Sequence, residues 1–328
     1  MMKWLASALR SLALVTALVA LVAPALPAAA QDYPNRQIRL IIPFAPGGSN
    51  DVVGRIIAHQ LGEKLGKQVF VDNRPGAGGV VGSDLAAKAT PDGYTLLNVS
   101  IAHVVDPWLY KEPFDPVKDF VPVSIIATGT NVVSVHPSVP AHSIKELLDL
   151  AKSKPGVLNY ASAGIGSFQH LSGELFKLMA GVDIVHVPYK GGGPAMLAII
   201  AGEDQVMFSS IVQTVPAIKS GQLRALATGG EKRSPILPDL PTVAEAGVPG
   251  YVATNWWGIV APAGTPQPIV DKLHDTIAEL LDSAETKKFL DNEGAAPVHM
   301  GAAEFGKFIQ AEIDKWGPVV KKAGMKAE

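Results

Sequence analysis

The sequence predicts an α/β protein of two lobes, in which each lobe is a doubly wound sheet flanked by helices. Three observations support this fold class: short β-rich runs alternate with amphipathic segments, the chain is long for one core, and two apolar stretches are placed where it can cross between lobes. A prior of roughly 150 residues per domain gives two lobes for the 298 residues that follow the first thirty of 328.

The predicted strands are short runs rich in apolar and β-branched residues. Several are apolar throughout rather than alternating, which is typical of parallel strands covered on both faces. The candidate strands are Gln37–Pro43, Gln68–Asp72, Thr95–Val99, Val123–Val135, Leu158–Ala161, Asp183–Val187, Gln205–Phe208, Leu223–Ala227 and Trp256–Ala261.

Helical patterns fill the segments between these strands. One runs from Val53 to Leu65 in steps of three and four and ends at Gly66. A capping box at 143–146 opens a second helix, and Gly181 ends a third. Pro194 suits the first position of a helix over 195–201, and residues from Pro268 onward indicate two or three more helices.

Two segments are candidates for crossings between the lobes. Val123–Val135 is long for one strand, and Asn255–Val260 is an apolar strand that follows a Pro- and Gly-rich region. If the chain leaves one lobe at the first segment and returns at the second, the lobes are discontinuous. Lobe one then comprises residues 31–128 and 254–328, and lobe two comprises residues 129–253, with the ligand cleft between them.

The first thirty residues are predicted to be a secretory signal peptide. Lys3 and Arg10 form a basic start, an apolar core spans 12–22, and three alanines precede an expected cleavage near Ala30-Gln31. The apolar run is too short for a stable membrane span. We therefore expect an exported protein, which in a bacterium with two membranes works in the periplasm.

Composition excludes several classes of function. The chain has no cysteine, which rules out disulfides, thiol catalysis, Cys-ligated metals and a lipidated-cysteine anchor. Removal of the signal leaves 26 basic residues against 30 acidic ones, with no block of like charges. Nothing therefore favours nucleic acid or an anionic membrane as a partner.

Three glycine-rich loops each follow a strand and precede a helix. They are Phe44–Asp51, where Ser49 or Asn50 suits an N-cap, then 161–167 and 188–193. Glycine lets backbone approach a ligand, and the following helix supplies free N–H groups and partial positive charge. With one loop in lobe one and two in lobe two, helix N-termini face each other across a cleft. That geometry suits a small molecule with one or two carboxylates.

Other ligands and chemistries fit the sequence poorly. Neither a P-loop nor a complete G-x-G-x-x-G is present, and the run 76–82 is expected to be a closely packed loop and helix start. No G-x-S-x-G or H-E-x-x-H occurs, and the eight histidines lack paired metal spacing. We therefore expect no catalytic residue, no metal and no cofactor.

Four residues have two interpretations each. His170 suits a hydrogen bond to the second loop better than a metal, and Lys190 is either a solvated turn lysine or a carboxylate contact. Trp256 and Trp257 suit the core, although one of them can face the crevice near the hinge. Asp51 is expected to hold the first loop and its helix rather than to act as a base.

Six stretches then identify a family. "YPNRQIRLIIPFAPGGSNDVVGR", "VDNRPGAGGVVGSDLAAKATPDGYTLL", "YASAGIGSFQHLSGELF", "VPYKGGGPAM", "GQLRALATGGEKRSPILPDLPTVAEAGVPGY" and "WWGIVAPAGTP" resemble the tripartite tricarboxylate transporter substrate-binding proteins, the Bug-type periplasmic solute receptors. Together they span essentially the whole chain after the signal.

The resemblance implies a two-lobed periplasmic binding protein fold, a Venus flytrap, that closes on a small carboxylate. It implies that backbone amides, hydroxyls and waters hold the ligand without an arginine. Integral membrane permease subunits are then the expected partners of a monomeric receptor. The expected ligand-binding residues are Phe44, Pro46, Gly47, Gly48, Ser49, Asn50, Ser100, His103, Ser162, Ala163, Gly164, Gly166, Ser167, Tyr189 and Ser209.

Two positions depart from the family pattern. Asn50 stands before Asp51 where relatives commonly carry Thr, and Ser209 follows Phe208 where many carry Asp. An Asp at 209 could face a ligand amine, so Ser209 argues against an amino-acid ligand.

Three functions remain open from the sequence. The first is a receptor that delivers a mono-, di- or tricarboxylate to a permease. The second is the same receptor docking on a membrane sensor kinase. The third is an exported α/β enzyme that uses Asp51 or His170.

Overall fold

Ten strands and ten α-helices make up the part of the chain that the computed structural model describes, residues 33–111 and 113–327. The predicted signal peptide, residues 1–30, lies outside the described residues. The strands are β1 Ile38–Ile42, β2 Val69–Asn73, β3 Thr95–Ser100, β4 Phe120–Val135, β5 Asn159–Ser162, β6 Val185–Pro188, β7 Val206–Ser210, β8 Arg224–Thr228, β9 Thr254–Pro262 and β10 Ala295–Pro297.

The helices lie between these strands and after the last of them, and two short 3-10 turns, Ala77–Gly79 and Asp106–Trp108, accompany them. The helices are α1 Ser49–Leu65, α2 Val80–Ala87, α3 Ile101–Val105, α4 Ile144–Ser153, α5 Phe168–Ala180, α6 Gly192–Ala201, α7 Ile211–Lys219, α8 Gln267–Asp282, α9 Ala284–Asn292 and α10 Ala302–Lys322.

All nine predicted strands are present, and β10 was not predicted. It has the sequence Ala-Ala-Pro and pairs antiparallel with residues 127–129 of β4. Alanine and proline have low strand propensity, so this strand has no signal of its own and forms because β4 offers it a partner.

The strands form one mixed sheet in the order β2-β1-β3-β9-β4-β7-β5-β6, with β8 and β10 also paired to β4. Parallel pairing, as expected for apolar strands, joins β1 to β2 and β3, and joins β5 to β6 and β7. The long strands β4 and β9 instead run antiparallel to their neighbours. These strands contain the two segments predicted as crossings, β4 from its length and β9 from the Pro- and Gly-rich region before it.

The partners of β4 change along its length. From Phe120 to Thr130 it pairs with β9, whereas from Asn131 to Val135 it pairs with β7 and β8. We call β1, β2, β3, β9, β10 and the first part of β4 the first half-sheet. The second half-sheet contains β5, β6, β7, β8 and the rest of β4.

Helices cover both half-sheets. In the first half-sheet, α1 packs on β2 and β1, while α8 and α10 pack on β4. In the second half-sheet, α5 and α6 pack on β5 and β7, and α7 packs on β4 and β7. The largest fully buried side chains include Trp257, Tyr160, Tyr251, Phe176 and Phe208, which lie in or against these strands. No helix of residues 33–111 and 113–327 is long and apolar enough to cross a membrane.

The predicted helix boundaries are partly correct. Ser143 caps α4, since its hydroxyl accepts a hydrogen bond from the Glu146 amide, and Gly181 ends α5 in the left-handed conformation. The N-cap of α1 is Gly48, however, rather than Ser49 or Asn50. Likewise α6 begins two residues before Pro194, which is its third residue. In both cases the helix starts at a glycine, earlier than the polar residues or the proline predicted.

His103 offers a test of how burial affects stability. Its ring packs against Phe114 and Phe120, and its Nε2 lies 3.0 Å from the carbonyl oxygen of Pro116. Burial lowers the pKa of His103 to about 4, and the hydrogen bond to Pro116 opposes that shift only in part. The unfolded chain takes up a proton below about pH 6.5, whereas the native ring stays neutral down to its lower pKa.

As the pH is lowered from about 6 to about 4.5, we therefore expect His103 to reduce the free energy of unfolding by about 1.4 kcal/mol per pH unit. Urea denaturation of the wild type and His103→Asn over this pH range measures the contribution of His103. The free energy of unfolding of the variant should depend less steeply on pH. His142→Asn, at an exposed position, is the matched control and should keep the wild-type slope. Equal slopes for wild type and His103→Asn would contradict this account of the buried ring.

Candidate functional site

The first and third glycine-rich loops meet through their backbones. The Ala45 amide donates to the Lys190 carbonyl at 3.2 Å. A side chain does not fit at Gly191, where a Cβ would lie 2.7 Å from the Ala45 nitrogen, and would be tight at Gly48, where a Cβ would lie 3.2 Å from the Gly192 nitrogen. The glycines therefore permit the first half-sheet and the second to approach at this point.

A cavity of about 20 Å³ lies where these loops meet the second loop. We call it the site cavity, and it holds little more than the volume that one water molecule needs. Within residues 33–111 and 113–327, no acidic or basic side chain lines it. Its walls are Phe44, Gly48, Ser49, Asn50, Ser100, Ala163, Ser167, Phe168, Gln169, Gly192 and Asn255.

Three helices begin at the walls of the site cavity. The first residues of α1, α5 and α6 are Ser49, Phe168 and Gly192, and all three line it. The first amides of a helix have no carbonyl one turn earlier to accept their hydrogen bonds, and the helix dipole adds partial positive charge there. Three helix N-termini thus contribute partial positive charge at the cavity, which suits an anionic group.

Neutral polar side chains complete the wall. Asn50 is buried, and its Nδ2 donates to the Ser100 hydroxyl at 3.3 Å, while its Oδ1 has no hydrogen-bond partner among the described residues. Asn255 Oδ1 accepts a 3.5 Å bond from the Ile101 amide, which leaves its Nδ2 as a donor. Hydroxyl and amide groups of the first half-sheet, such as Asn255 Nδ2, can thus donate hydrogen bonds to a ligand oxygen.

Two stacked histidines hold the second loop. The rings of His170 and His186 are parallel, with centroids 3.9 Å apart. The Gly166 amide donates to His170 Nδ1 at 3.1 Å, and His186 Nε2 lies 2.5 Å from the Ser162 hydroxyl. One ring therefore fixes the end of the loop and the other fixes its start.

Burial lowers the pKa of both rings to about 3. The charge of Lys177 contributes to the lowered pKa of His170, and His170 contributes to the lowered pKa of His186, which Glu174 opposes. Because Nδ1 of His170 accepts a hydrogen bond, that ring is the neutral Nε2–H tautomer. The prediction that His170 hydrogen-bonds the loop is confirmed.

The third loop is fixed from behind by Gln213. Its Nε2 donates to the Gly192 carbonyl, and its Oε1 accepts from the Ser209 hydroxyl at 3.1 Å and from Gln169 Nε2 at 3.3 Å. Ser209 is fully buried in this network, so it supports the cavity wall from behind and does not line it.

Asp51 anchors the first loop. Its carboxylate accepts hydrogen bonds from the Gly47 amide at 3.0 Å, from Asn73 Nδ2 at 2.9 Å and from Arg55 Nε at 2.9 Å. Burial on its own would raise the pKa of Asp51, but the hydrogen bonds from Arg55, Gly47 and Asn73 hold it below its usual range. The carboxylate is therefore ionised and fully engaged, which confirms its structural role.

The structure distributes the fifteen expected ligand residues over three places. Seven line the site cavity: Phe44, Gly48, Ser49, Asn50, Ser100, Ala163 and Ser167. Gly164 and Tyr189 line a neighbouring cavity of about 190 Å³, together with Phe44, Ala163 and the exposed Lys190. The others lie outside both linings: Pro46, Gly47, His103, Ser162, Gly166 and Ser209.

Five of those six, all except Pro46, have another contact. His103 lies among Phe114 and Phe120, away from the cavity. Ser162 is fully buried beside His186, Gly166 is bonded to His170, and Gly47 is bonded to Asp51. These residues shape the loops, and their side chains or backbone groups are used within the protein.

Four lining residues were not expected: Phe168, Gln169, Gly192 and Asn255. Asn255 had a sequence signal, since an amide directly before two tryptophans in an apolar strand needs a partner or a ligand. The tryptophans are both core residues, and Trp256 packs edge-on against Phe305 and Phe308. Neither lines the site cavity.

No group of three or more metal-ligating side chains occurs within the described part of the chain. The site cavity likewise brings together no nucleophile with a base, because its hydroxyls, Ser49, Ser100 and Ser167, have no histidine beside them on its wall. This arrangement of helix N-termini and neutral donors can bind an anion.

Comparisons with known proteins agree with this geometry. Residues 53–325 match the model of the TctC family, described as tripartite tricarboxylate transporter family receptor. The chain is 38% identical over 320 residues to protein BugT of Bordetella pertussis, covering 97% of this chain and 98% of BugT.

Two solved structures are similar throughout. One is an R. palustris protein with adipate, at 38% identity and a TM-score of 0.88, covering 90% of this chain and 100% of that one. The other is MatC from Rhodopseudomonas palustris with bound malate, at 33% identity and a TM-score of 0.83, covering 88% and 100%. With the family match, they show that this chain belongs to the tripartite tricarboxylate transporter receptor family, whose members are periplasmic solute-binding proteins and not enzymes.

Proposed function

We propose that the protein captures a small carboxylate, with one, two or three carboxyl groups, in the site cavity. The observation that carries this proposal is the convergence of three helix N-termini on a wall that has only neutral donors. Such a wall stabilises an anion without the cost of burying a paired charge. The adipate and malate bound by two similar proteins support the same ligand class.

Binding would close two lobes over the ligand. The proposed lobes are residues 31–128 with 254–328, and residues 129–253. The change of partners in β4 after Thr130 and the start of β9 at Thr254 support these boundaries. A carboxylate is too large for a cavity of about 20 Å³, so the loops must separate to admit it. The ligand then favours the closed form by its greater affinity for that form.

The proposed ligand contacts are the lining residues, with hydrogen bonds from the amides that begin α1 and α5 and from Ser49, Ser100, Ser167 and Asn255. His170, His186 and Gln213 act indirectly, because they position the second and third loops. Asn50 contacts Ser100 and presents an unpaired oxygen, so it is the position at which ligand preference is set.

The partners in this proposal are the integral membrane permease subunits of a tripartite tricarboxylate-type transporter. The family description, a receptor of such a transporter, supports this assignment. The protein would work in the periplasm as a monomer, after removal of the predicted signal peptide. Crosslinking in membranes, with and without ligand, separates a permease partner from a sensor kinase.

A thermal-unfolding screen tests the ligand class. Mono-, di- and tricarboxylates are compared with the uncharged amides of the same acids. A carboxylate at 100 times its Kd should stabilise the protein by about 2.7 kcal/mol, whereas its amide should not, because the wall favours negative charge. The absence of a shift with every carboxylate, or equal shifts with the amides, would contradict the proposal.

Gly48→Val tests the position of the site. Gly48 has a φ of −86°, which valine tolerates, but a Cβ there would press on the backbone of Gly192. We expect the loops to be held apart and the Kd for the ligand to rise at least about tenfold, equal to 1.4 kcal/mol or more. Isothermal titration calorimetry measures the change.

The matched control is Gly301→Val. Gly301 is also an N-cap glycine with negative φ, and no atom lies within 4 Å of its added Cβ. Both variants lose the same favourable cap residue, so Gly301→Val measures how much of any fall in unfolding temperature comes from the cap alone. An unchanged Kd in Gly48→Val, or an equal loss of affinity in Gly301→Val, would place the ligand elsewhere.

A further inference from the structure

A cavity of about 880 Å³ lies beside the strands that join the two half-sheets. We call it the hinge cavity. Thr128, Gly129 and Thr130 of β4 and Thr254 of β9 line it, at the point where β4 changes its pairing partners. The function proposed so far assigns this cavity no role.

The hinge cavity and the site cavity lie on opposite faces of β9. Successive side chains of a strand point to opposite faces of its sheet. Thr254 lines the hinge cavity, whereas the next residue, Asn255, lines the site cavity. A ligand in the site cavity is therefore separated from the hinge cavity by the strands themselves.

Both proposed lobes supply walls of the hinge cavity. Gly294 and Ala296 come from lobe one, and Ile236 and Val252 come from lobe two. The walls meet where Ile236 packs on Gly294, since a Cβ on Gly294 would lie 2.6 Å from Ile236 Cδ1. The space between the walls therefore depends on how the two lobes are placed.

Charged side chains of both signs also line the hinge cavity. Glu231 and Lys232 belong to lobe two, Asp291 and Lys315 belong to lobe one, and all four residues are exposed. Water and salt screen exposed charges, and one acid and one base on each wall select no particular charge on an occupant. The volume of an occupant thus decides its effect on the lobes.

The two faces of the connecting strands respond in opposite senses to a movement of the lobes. On the face of the site cavity the loops touch, through the Ala45 amide and the Lys190 carbonyl, and leave only about 20 Å³. Because β4 and β9 join the lobes, a rotation about these strands that separates the loops brings the walls of the hinge cavity together. The hinge cavity is therefore smaller in the open form than in the closed form.

We propose that the hinge cavity controls the affinity of the receptor: a group that fills it opposes opening, favours the closed form and so strengthens carboxylate binding. This inference rests on the lobe closure of the proposed function. Apparent affinity is proportional to the fraction of protein in the binding-competent form, so a group that never touches the ligand can change it.

Graded labelling at position 296 tests the inference. Ala296 is exposed, lines the hinge cavity and pairs with Thr128 of β4. The chain has no cysteine, so the thiol of Ala296→Cys is unique. It is labelled with N-methyl-, N-cyclohexyl- or N-pyrenylmaleimide, which are uncharged and increasingly large. The ligand is adipate, or the carboxylate that stabilises the wild type most in the thermal-unfolding screen.

We expect the affinity to rise about three- to tenfold from the smallest label to the largest, mainly through slower dissociation, because release requires opening. Isothermal titration calorimetry and stopped-flow kinetics measure the two quantities. Ala303→Cys is the matched control, since Ala303 is an exposed alanine of α10 that does not line the hinge cavity. The same labels at position 303 should leave the affinity unchanged.

A second measurement needs no ligand. Tryptophan suits an exposed strand position, so Ala296→Trp fills the hinge cavity without a label. Small-angle X-ray scattering of the unliganded variant should give a smaller radius of gyration than the unliganded wild type, closer to that of the liganded wild type.

The failures are distinguishable. If the wild type binds no carboxylate, the proposed function fails, while the scattering of Ala296→Trp still tests the hinge cavity. If the wild type binds a carboxylate without becoming more compact, lobe closure is wrong and the hinge inference fails with it. With ligand capture and closure intact, the inference is overturned by labels at 296 that leave the affinity unchanged or lower it. Equal gains from labels at 303, or an unchanged radius of gyration in Ala296→Trp, also overturn it.

Discussion

One continuous strand, β4, belongs to both half-sheets and joins them. Its first eleven residues belong to the ladder with β9, and its last five belong to the ladders with β7 and β8. Where the partners change, Thr128 and Thr130 donate side-chain hydrogen bonds to the carbonyls of Asn255 and Ala253. Buried Asn131 donates to the Tyr251 hydroxyl, which in turn donates to the Ser172 carbonyl. The two half-sheets are thus connected by paired strands and not by a loose linker.

This connection determines what the loops can do. Strands that end on either side of β4 and β9 bring α1, α5 and α6 to one point, with their N-termini toward a single cavity. Contact there is made by backbone, because side chains at glycines 48, 191 and 192 would be tight or would not fit. The supporting side chains, Asp51, the two histidines and Gln213, lie behind the loops and satisfy their polar groups. A wall of neutral donors binds an anion reversibly, since no strong ion pair has to be broken for release.

The sequence predicted the fold well because its signals are local. Apolar runs mark the nine longer strands, and the cap at Ser143 and the stop at Gly181 are chemical features of a few neighbouring residues. β10 was missed because three residues with low strand propensity form a strand only when β4 pairs with them. The sequence placed the starts of α1 and α6 too late. Ser49 and Pro194 are stronger local signals of a helix start than the glycines, which the close approach of the two loops requires.

The site was predicted only in outline. Six of its residues follow from the loops and Ser100 from the family resemblance, but the partner of each loop is set by contacts between distant segments, such as Ala45 with Lys190 and His170 with His186. Ser209 and His103 have the residue types of a ligand contact, yet their burial in other networks is decided by tertiary packing. Asn255 and Gln169 reach the cavity wall for the same reason. Residue type predicts what a side chain can do, and packing determines where it does it.

In the proposed mechanism a carboxylate draws two lobes together about β4 and β9. The chain has no cysteine, so spin labels on Val81→Cys and Leu197→Cys attach only at these exposed positions of α2 and α6. Pulsed electron paramagnetic resonance then measures the distance between the labels with and without a saturating carboxylate. We expect a longer, broader distribution that becomes shorter and narrower when the ligand is added. A distribution that stays the same under saturating ligand would contradict the account.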